Sequence, residues 1–273
     1  MIIADLIGGL GNQMFIYAAA RAAALRHDVP LKFNIAGFAG QSLRRYALSD
    51  LNLREDFCTV EELTRILAAG RIYRDGNPYG FDRTMLALPP PLYLHGYFQS
   101  FRYFEEIADV IRSDFSVRAA PGRQDETVLS MIADTNAVCL HIRRSDYVSN
   151  PSALQHHGVC PLAYYEGAFN HLQSRVGPVT LFVFSDDIYW AQANLKLDAP
   201  TIFVGHNTLD QGHQDLRLMS ACRHFIIANS SFSWWGAWLG QCPEKLVYAP
   251  AKWLAAPIDT KDLLPGDWTK VRY

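Results

Sequence analysis

The chain has 273 residues, which is enough for one large domain or two smaller ones, each with its own core. Hydrophobic residues make up 49% and charged residues 19% of the chain, a composition typical of globular proteins and unlike that of disordered or fibrous ones. The formal net charge of -2 argues against a general nucleic-acid binder, so any anionic ligand must be met by locally concentrated positive charge.

The cysteines and the N-terminal stretch predict a cytoplasmic setting. The five cysteines are scattered without C-x-x-C spacing, as expected for buried free thiols rather than for a disulfide or zinc framework. The first residues, MIIADLIGGLGNQ, lack a basic leader, and their apolar part is too short for a signal sequence. No stretch approaches the roughly 20 apolar residues of a membrane span. We therefore expect a cytoplasmic enzyme.

The first part of the chain opens with a strand, a glycine turn and a helix. Residues 1–6 are apolar and strand-like, the turn IGGLGNQ follows, and an alanine-rich helix is predicted at 14–27. The elements predicted next are a helix at 60–70, a polar loop at 74–83, a strand at 93–98 and a helix at 104–115. The stretch SVRAAPGRQDE then predicts a boundary near residue 120.

Beyond this boundary, strands and helices alternate. The predicted strands are residues 137–142, 179–185, 201–205, 224–229 and 246–250. The predicted helices are residues 127–134, 188–195, 214–222 and 231–240. This alternation indicates a mostly parallel, doubly wound α/β sheet, and we predict two Rossmann-like halves joined near residues 120–135. Sheets of this class bind ligands at the carboxyl ends of their strands, so the residues that follow each strand are candidates for a site.

The first strand end carries Gly9, Gly11, Asn12 and Gln13. Glycines between a strand and a helix let the backbone approach a ligand, and both amide side chains can bind sugar hydroxyls. The dinucleotide fingerprint lacks its third glycine, because Met14 follows Gln13. A tight turn required only for packing is the alternative.

The second strand end is the stretch VCLHIRRSDY. If it is extended, His141 and Arg143 share one face and Arg144 lies on the other. The planar guanidinium of Arg143 suits a phosphate, whereas Arg144 could pair with an acid such as Asp146 and hold the loop. A structural ion pair is the alternative for both arginines. Asp146 could act as a general base, but beside two arginines it is a better anchor than proton acceptor.

The third strand end carries Asp186 and Asp187 in the stretch FSDD. Adjacent carboxylates at this point could bind ribose hydroxyls or the N1 and N2 donors of guanine. The metal-binding motif of other nucleotide-sugar enzymes is D-x-D, with alternate rather than adjacent acids. A further alternative is that one of the acids only caps the following helix.

The fourth strand end is the run Asn229, Ser230, Ser231 and Phe232. Hydroxyl groups and free backbone N–H groups at a helix start can bind an anion without net charge. Capping would explain any single serine, and the tryptophans that follow are typical of helix packing. Weaker candidates are His206, Asp210 and Asp215, which could line the same edge or cap a helix.

Four motifs in this order resemble the alpha-1,2-fucosyltransferase family, glycosyltransferase family 11. They are GGLGNQMFIYAAARAAA, HIRRSDYV, FSDDIYWA and DLRLMSACRHFIIANSSFSWWGAWLG, and residues 30–125 match least well. The resemblance implies a GT-B type fold, with two Rossmann-like domains facing a cleft. It also implies metal-independent, inverting transfer of L-fucose from GDP-fucose, the donor substrate, with no cofactor.

The resemblance also implies roles for the candidate residues. Arg143 would hold the β-phosphate with His141 beside it, and Asp186 or Asp187 would bind the guanosine. Three residues would meet the diphosphate or nucleoside: Ser230, Ser231 and Phe232. The loop from Gly9 to Gln13 would reach toward fucose and acceptor. No general base is identified by the sequence, and Asp146 is the nominal candidate.

We therefore predict an acceptor-side domain at residues 1–125 and a GDP-fucose-binding domain at 126–250. Residues 251–273 form an extension that could pack back on the first domain. The predicted acceptor is the 2-hydroxyl of a terminal beta-galactoside on a cell-surface polysaccharide, with peripheral contact to the inner membrane surface as one option. A non-catalytic nucleotide- or sugar-binding module and a dinucleotide-dependent oxidoreductase are the alternatives.

Overall fold

The fold is given by a computed structural model, which describes residues 1–41 and 44–273; the side chains of Ser145 and Asp146 lie outside the described part. The chain divides into two units. Unit 1 comprises Met1–Arg118 and Asp259–Pro265, and unit 2 comprises Ala119–Ile258 and Gly266–Tyr273.

Unit 1 forms a four-stranded parallel sheet over its described residues. The strands are β1 (Ile2–Asp5), β2 (Leu31–Asn34), β3 (Ile72–Arg74) and β4 (Leu92–His95), in the order β2-β1-β4-β3. The helices are α1 (Leu10–Arg26), α2 (Val60–Ala68), α3 (Arg83–Ala87) and α4 (Ala108–Asp114). β1 is buried along its whole length and lies between β2 and β4. The residues that follow β1 therefore lie at an inner position of the carboxyl edge of the sheet, not at its side.

The turn between β1 and α1 depends on glycine at position 8. Gly8 has φ +76°, and a Cβ atom there would lie 2.7 Å from Asn12 Nδ2, so a larger residue would be strained and would clash. Gly9 then occupies the N-cap position of α1. The alanines of α1 are buried on several faces, because small side chains let the helix pack closely against the surrounding elements.

Unit 2 forms a six-stranded parallel sheet over its described residues. Its strands are β5 (Ala137–Ile142), β6 (Thr180–Ser185), β7 (Thr201–Val204), β8 (His224–Ile226), β9 (Val247–Pro250) and β10 (Thr269–Val271). Its helices are α5 (Arg123–Ala133), α6 (Ser145–Ser149), α7 (Pro151–His157), α8 (Leu162–Val176), α9 (Ile188–Asn194), α10 (Gly212–Ala221) and α11 (Ser231–Leu239). The strand order is β10-β9-β8-β5-β6-β7, so the direction of winding reverses between β5 and β8.

Large aromatic side chains fill the core of unit 2. Trp234 and Trp235 on α11 are fully buried, with their ring centroids 5.0 Å apart, and Trp268 lies 5.4 Å from Trp234. The prediction that Trp234 and Trp235 serve helix packing is confirmed. They fix α11 against the sheet, and with it the residues at the start of that helix.

The predicted alternation of strands and helices after residue 120 is confirmed, while several short elements were not predicted. The elements absent from the sequence prediction are β2, β3, β10, α3, α6, α7 and α8. Two of the predicted elements also have different bounds. α5 begins four residues earlier than predicted, and β8 ends at Ile226 instead of Asn229, because the strand pairing of β8 with β9 extends only to Ile226.

Candidate active site

The strand order of unit 2 brings three of the four predicted strand ends together. β5 lies between β6 and β8, so Arg143, Asp186 and Ser230 follow adjacent parallel strands at one sheet edge. The reversal between β5 and β8 is a topological switch point, where open α/β sheets form a ligand crevice. His141 of β5 and Phe232 of α11 lie on either side of this point, with ring centroids 5.8 Å apart.

Asp186 is the centre of this edge. Its Oδ2 atom lies 3.0 Å from Nη1 of Arg143, and its Oδ1 atom accepts a hydrogen bond of 2.8 Å from the Arg144 backbone N–H. The Asp186 side chain is 8% exposed and that of Arg143 is 23% exposed. A nearly buried carboxylate thus orients a guanidinium that solvent can still reach.

Arg144 is held by α9 rather than by the residues beside Arg143. Its guanidinium carbon lies 3.6 Å from the centroid of the Trp190 ring, and Nε lies 3.9 Å from Oδ2 of Asp187. The acid predicted as its partner, Asp146, has its side chain outside the described residues. The two arginines therefore have different surroundings, as predicted from their alternation along the chain.

Asp187 caps α9. Its Oδ1 atom accepts a hydrogen bond of 3.2 Å from the Trp190 backbone N–H, while its own N–H donates to Ser185 Oγ at 3.0 Å. The capping alternative considered for these acids therefore applies to Asp187. Asp186, in contrast, makes its contacts with the end of β5, which leaves the two neighbouring acids with separate functions.

His141 is a buried, neutral imidazole. Burial, with a smaller effect from the positive charge of Arg143, lowers the pKa of His141 to about 3. Its Nδ1 atom has no hydrogen-bond partner among the residues that the structure describes. His141 therefore stays uncharged near neutral pH, and its chemistry there is limited to hydrogen bonding and ring contacts.

The start of α11 offers backbone and hydroxyl donors. Ser230 occupies the N-cap position, yet its side chain makes no capping hydrogen bond. Ser233 instead turns back into the helix start, where its Oγ bonds the carbonyls of Ala228 and Ser230. The positive end of the dipole of a nine-residue helix and the Ser230 hydroxyl, which makes no capping hydrogen bond, are features that suit an anion.

Asn229 is fixed by structural contacts. Its Nδ2 atom donates to the carbonyls of His157 and Trp253 at 2.9 and 3.1 Å, and its Oδ1 atom accepts from Cys160 Sγ at 3.5 Å. The side chain is 4% exposed. Asn229 thus ties three segments together behind the start of α11, and its predicted contact with a ligand stays a prediction.

The predicted glycine-loop residues belong to unit 1. Gln13 is buried, and its amide bonds the carbonyls of Gly8 and Arg45 and the N–H of Ala47 at 2.8, 2.8 and 2.9 Å. Asn12 Oδ1 accepts a hydrogen bond of 3.0 Å from Gln99 Nε2. Gln13 therefore holds the loop from within, while Asn12 links it to the chain that follows β4.

Comparison with known proteins shows the family of the chain. The family model described as Glycosyl transferase family 11 matches residues 73–272 of the chain. The chain belongs to glycosyl transferase family 11. It is 32% identical to an alpha-1,2-colitosyltransferase of Escherichia coli over 99% of both chains. It is also 32% identical to the Escherichia coli O-antigen biosynthesis glycosyltransferase WbnK, over 92% of this chain and 94% of the relative.

More distant matches include a sequence relative and two solved structures. The glycosyltransferase is 22% identical to galactoside alpha-(1,2)-fucosyltransferase 2 of Bos taurus, over 95% of this chain and 80% of the relative. POFUT1 in complex with GDP-fucose has a TM-score of 0.52 at 15% identity, over 89% of this chain and 96% of that one. A mutant of Arabidopsis thaliana FUT1 in complex with GDP has a TM-score of 0.54 at 13% identity, over 92% of this chain and 71% of that one. The predicted GT-B type fold is confirmed.

Two polar clusters of the glycosyltransferase are not apparent as clusters in the sequence. In unit 2, Asp125 accepts from His206 Nε2 and Asn207 Nδ2 at 2.8 and 3.1 Å, and Asn207 also donates to Asp215 at 2.9 Å. Burial raises the pKa of Asp215 to about 6. The sequence signal for this cluster is the run of polar residues directly after β7, which contains the weaker candidates His206, Asp210 and Asp215.

The second cluster lies at the carboxyl edge of the unit 1 sheet. Asp5, Asn34 and His95 are the last residues of β1, β2 and β4. Asp5 Oδ1 accepts from Asn34 Nδ2 at 2.9 Å, and His95 Nδ1 lies 2.6 Å from Asp5 Oδ2. Each is a polar residue that ends an apolar strand, which was the signal that the sequence offered.

Two further observations concern metals and membranes. Within the described residues, no three His, Cys, Asp or Glu side chains are grouped so that they could hold a metal ion. Over the same residues, no helix combines the length and the apolar character needed to cross a membrane.

Proposed function

We propose that this glycosyltransferase moves L-fucose from GDP-fucose to the 2-hydroxyl of a terminal beta-galactoside, with inversion at the sugar C1 atom. The observation that carries the proposal is the Arg143–Asp186 ion pair beside the start of α11, at the switch point of the unit 2 sheet. A partly exposed guanidinium and a helix N-terminus together suit a diphosphate.

The names of the relatives support the linkage and the donor. Two relatives that align over most of both chains are called alpha-1,2-colitosyltransferase and galactoside alpha-(1,2)-fucosyltransferase 2, so both names contain an alpha-1,2 linkage. The solved structures with the same fold hold GDP or GDP-fucose. The name O-antigen biosynthesis glycosyltransferase favours a surface polysaccharide as the acceptor.

In the proposed mechanism, unit 2 stabilises the leaving group. As the bond between C1 of fucose and the diphosphate breaks, negative charge grows on GDP. Arg143, oriented by Asp186, and the positive end of the α11 dipole stabilise that charge, and such preorganised electrostatics are often the largest contribution to catalysis. The acceptor oxygen attacks C1 from the opposite face. We assign the acceptor to unit 1 and its glycine loop.

A second donor is favoured by one specific observation. The relative named alpha-1,2-colitosyltransferase aligns over 99% of both chains. Colitose is L-fucose without its 3-hydroxyl group, so a site that holds one sugar can differ from a site for the other by a single polar contact. GDP-colitose is therefore the second candidate donor.

The test is a direct assay of transfer. The protein is incubated with GDP-fucose or GDP-colitose and with lactose or other beta-galactosides in the presence of EDTA, and GDP release and the product linkage are measured by NMR. We expect GDP release that depends on acceptor, and an alpha-1,2-linked product. Acceptor-independent binding of GDP without any product across the panel would instead support the non-catalytic module. Spectral changes on titration with NAD(P) would support the oxidoreductase.

A further inference from the structure

The guanidinium of Arg143 has an aromatic neighbour in addition to Asp186. Its central carbon lies 5.4 Å from the centroid of the Tyr147 ring, and Tyr147 belongs to α6, which begins two residues after Arg143. Asp186 contacts the same guanidinium through Nη1 at 3.0 Å. The ion pair fixes the direction of one N–H group, and the ring restricts where the rest of the planar group can lie. Arg143 is therefore restrained by two different side chains.

Tyr147 is itself part of an aromatic stack. Its ring is parallel to that of His157, with the centroids 4.5 Å apart and an angle of 3° between the planes. His157 ends α7, and the ring of His156 meets it edge-on at a centroid distance of 4.7 Å. Because the Tyr147 ring would lose its contact with His157 if it turned, α7 fixes the surface on which the guanidinium of Arg143 rests.

The backbone of His157 is anchored within unit 2. Its carbonyl accepts hydrogen bonds from Asn229 Nδ2 at 2.9 Å and from the Ala255 N–H at 3.2 Å. Gly158 follows with φ +69°, and a Cβ atom there would lie 3.3 Å from Ala255 Cβ. The Tyr147 hydroxyl also lies 3.4 Å from the carbonyl oxygen of Asn229. The stack is therefore attached to the segment that leads into α11, the other part of the proposed diphosphate site.

Arg144 has the same two kinds of neighbour, but they come from a different helix. Its guanidinium carbon lies 3.6 Å from the centroid of the Trp190 ring, and its Nε lies 3.9 Å from Oδ2 of Asp187. Both of these residues belong to the start of α9, whereas Tyr147 belongs to α6. A change at Tyr147 should therefore affect Arg143 and leave the contacts of Arg144 in place.

We propose that Tyr147 is a positioning residue for Arg143, with His157 as the second layer of the support. The stack keeps the guanidinium oriented toward the diphosphate of the donor. This inference rests on the proposed function, in which Arg143 stabilises the departing GDP. Tyr147 acts through Arg143, because a donor that is already oriented needs no reorganisation when charge develops on the leaving group. A tyrosine that only filled space would not be coupled to Arg143.

The first part of the test measures transfer by variants of Tyr147 with saturating GDP-fucose. We expect Tyr147→Leu to lower kcat by about three- to thirtyfold, the range expected for the loss of a cation–π contact. Tyr147→Phe keeps the ring and loses only the long hydroxyl contact, so its kcat should stay within about twofold of wild type. The comparison variant is Tyr189→Leu, which makes the same replacement at a tyrosine of unit 2 that is 82% exposed.

The second part is a double-mutant cycle with Arg143→Ala, measured both as kcat and as GDP affinity by isothermal titration calorimetry. In the wild-type background, Tyr147→Leu should weaken GDP binding by about three- to tenfold. In the Arg143→Ala background it should change either quantity by less than about twofold, because the group that it orients is gone.

The outcomes of this cycle distinguish the inference from the proposed function. Equal losses from Tyr147→Leu in both backgrounds, or a Tyr147→Phe variant as impaired as Tyr147→Leu, would overturn the positioning role while leaving the transferase intact. Coupling between Tyr147 and Arg143 in GDP affinity, in a protein that transfers no sugar to any acceptor, would overturn the proposed function and support the positioning of Arg143 at the diphosphate.

Discussion

Arg143 and Asp186 form an ion pair of 3.0 Å across the carboxyl ends of two adjacent strands, β5 and β6. The carboxylate is nearly buried and receives a second contact from the Arg144 backbone, so it cannot turn away from the guanidinium. This pairing gives Arg143 a fixed direction at the switch point of the sheet. A guanidinium that is already oriented does not need to be reoriented, with its cost in free energy, when negative charge develops on a phosphate.

Replacing Arg143 should therefore abolish most of the transfer. We expect Arg143→Ala to lower kcat by about 10²- to 10³-fold, because the departing diphosphate loses a preorganised donor. Arg143→Lys should recover part of the rate, since the charge remains but the planar pair of donors is lost. Steady-state kinetics with GDP-fucose and lactose measure both, and circular dichroism checks the fold. Wild-type activity in Arg143→Ala would rule out its role at the phosphate.

Arg144→Ala is the matched comparison for Arg143→Ala. Its guanidinium stacks on Trp190 and lies near Asp187, so its removal should destabilise the start of α9 by about 1–2 kcal/mol. We expect its kcat to stay within roughly tenfold of wild type, by contrast with the larger loss for Arg143. Urea unfolding and the transfer assay together distinguish the two arginines. Equal losses of kcat in the two variants would show that Arg143 and Arg144 have the same role in transfer.

His141 should make the fold sensitive to acid. Because its pKa is about 3 in the folded chain and near 6.5 when unfolded, the unfolded chain binds a proton that the folded chain does not. The associated stability is complete above about pH 6.5 and is lost as the pH falls toward 3. Between pH 7.5 and pH 5, the free energy of unfolding should fall by about 2 kcal/mol more in wild type than in His141→Phe.

Urea unfolding at these two pH values measures the difference for His141. The comparison variant is His171→Gln, which removes an exposed histidine of α8 instead of a buried one. Parallel curves for wild type and His141→Phe would contradict the assignment of a neutral, buried imidazole at position 141.

Gln13 should be a major contributor to the stability of unit 1. It satisfies three backbone groups of the loop segments around it, those of Gly8, Arg45 and Ala47. Gln13→Ala leaves these groups without their partner in a buried place, so we expect a loss of about 2–4 kcal/mol in the free energy of unfolding. Gln124→Ala, at an exposed position of α5, should change it by less than about 0.5 kcal/mol. A loss below about 1 kcal/mol for Gln13→Ala would mean that water or a rearranged loop replaces the amide.

Much of the fold could be predicted because the main strands of unit 2 are apolar along their length. β5 and β6 are runs of buried residues between helical patterns, which are features of the local sequence. The missed strands are short, and β2 and β10 lie at sheet edges with little buried surface. In α8 the buried residues do have helical spacing, but two of them are tyrosines, Tyr164 and Tyr165, whose hydroxyl groups weaken the apolar pattern.

The candidate site was partly predictable for a different reason. Polar residues after parallel strands meet at one edge whatever the strand order, so Arg143, Asp186 and Ser230 could be grouped from the sequence. Which acid pairs with which arginine depends on the register of β5 and β6, which no local pattern contains. The pairing of Asp5 with His95 joins residues 90 positions apart and requires β1 and β4 to be neighbours. That adjacency is a property of the tertiary fold.

Asp215 should oppose the effect of His141 on the pH dependence of stability. Burial raises its pKa from 3.8 to about 6, partly offset by the hydrogen bond from Asn207, so the folded chain holds a proton that the unfolded chain releases. Its contribution to the free energy of unfolding is complete below about pH 4 and is lost as the pH rises through about 6, a total of about 3 kcal/mol.

The variant Asp215→Asn has no ionisable group at position 215, so this loss of stability should be absent from it. Between pH 4.5 and pH 7, the variant should gain about 2 kcal/mol on wild type in urea unfolding. The comparison variant is Asp198→Asn, which removes an exposed acid of the same unit instead of a buried one. The prediction is contradicted if the free energies of unfolding of Asp215→Asn and wild type change equally between the two pH values. The carboxyl group of Asp215 would then be ionised in the folded chain without loss of stability, because its neighbours compensate for its burial.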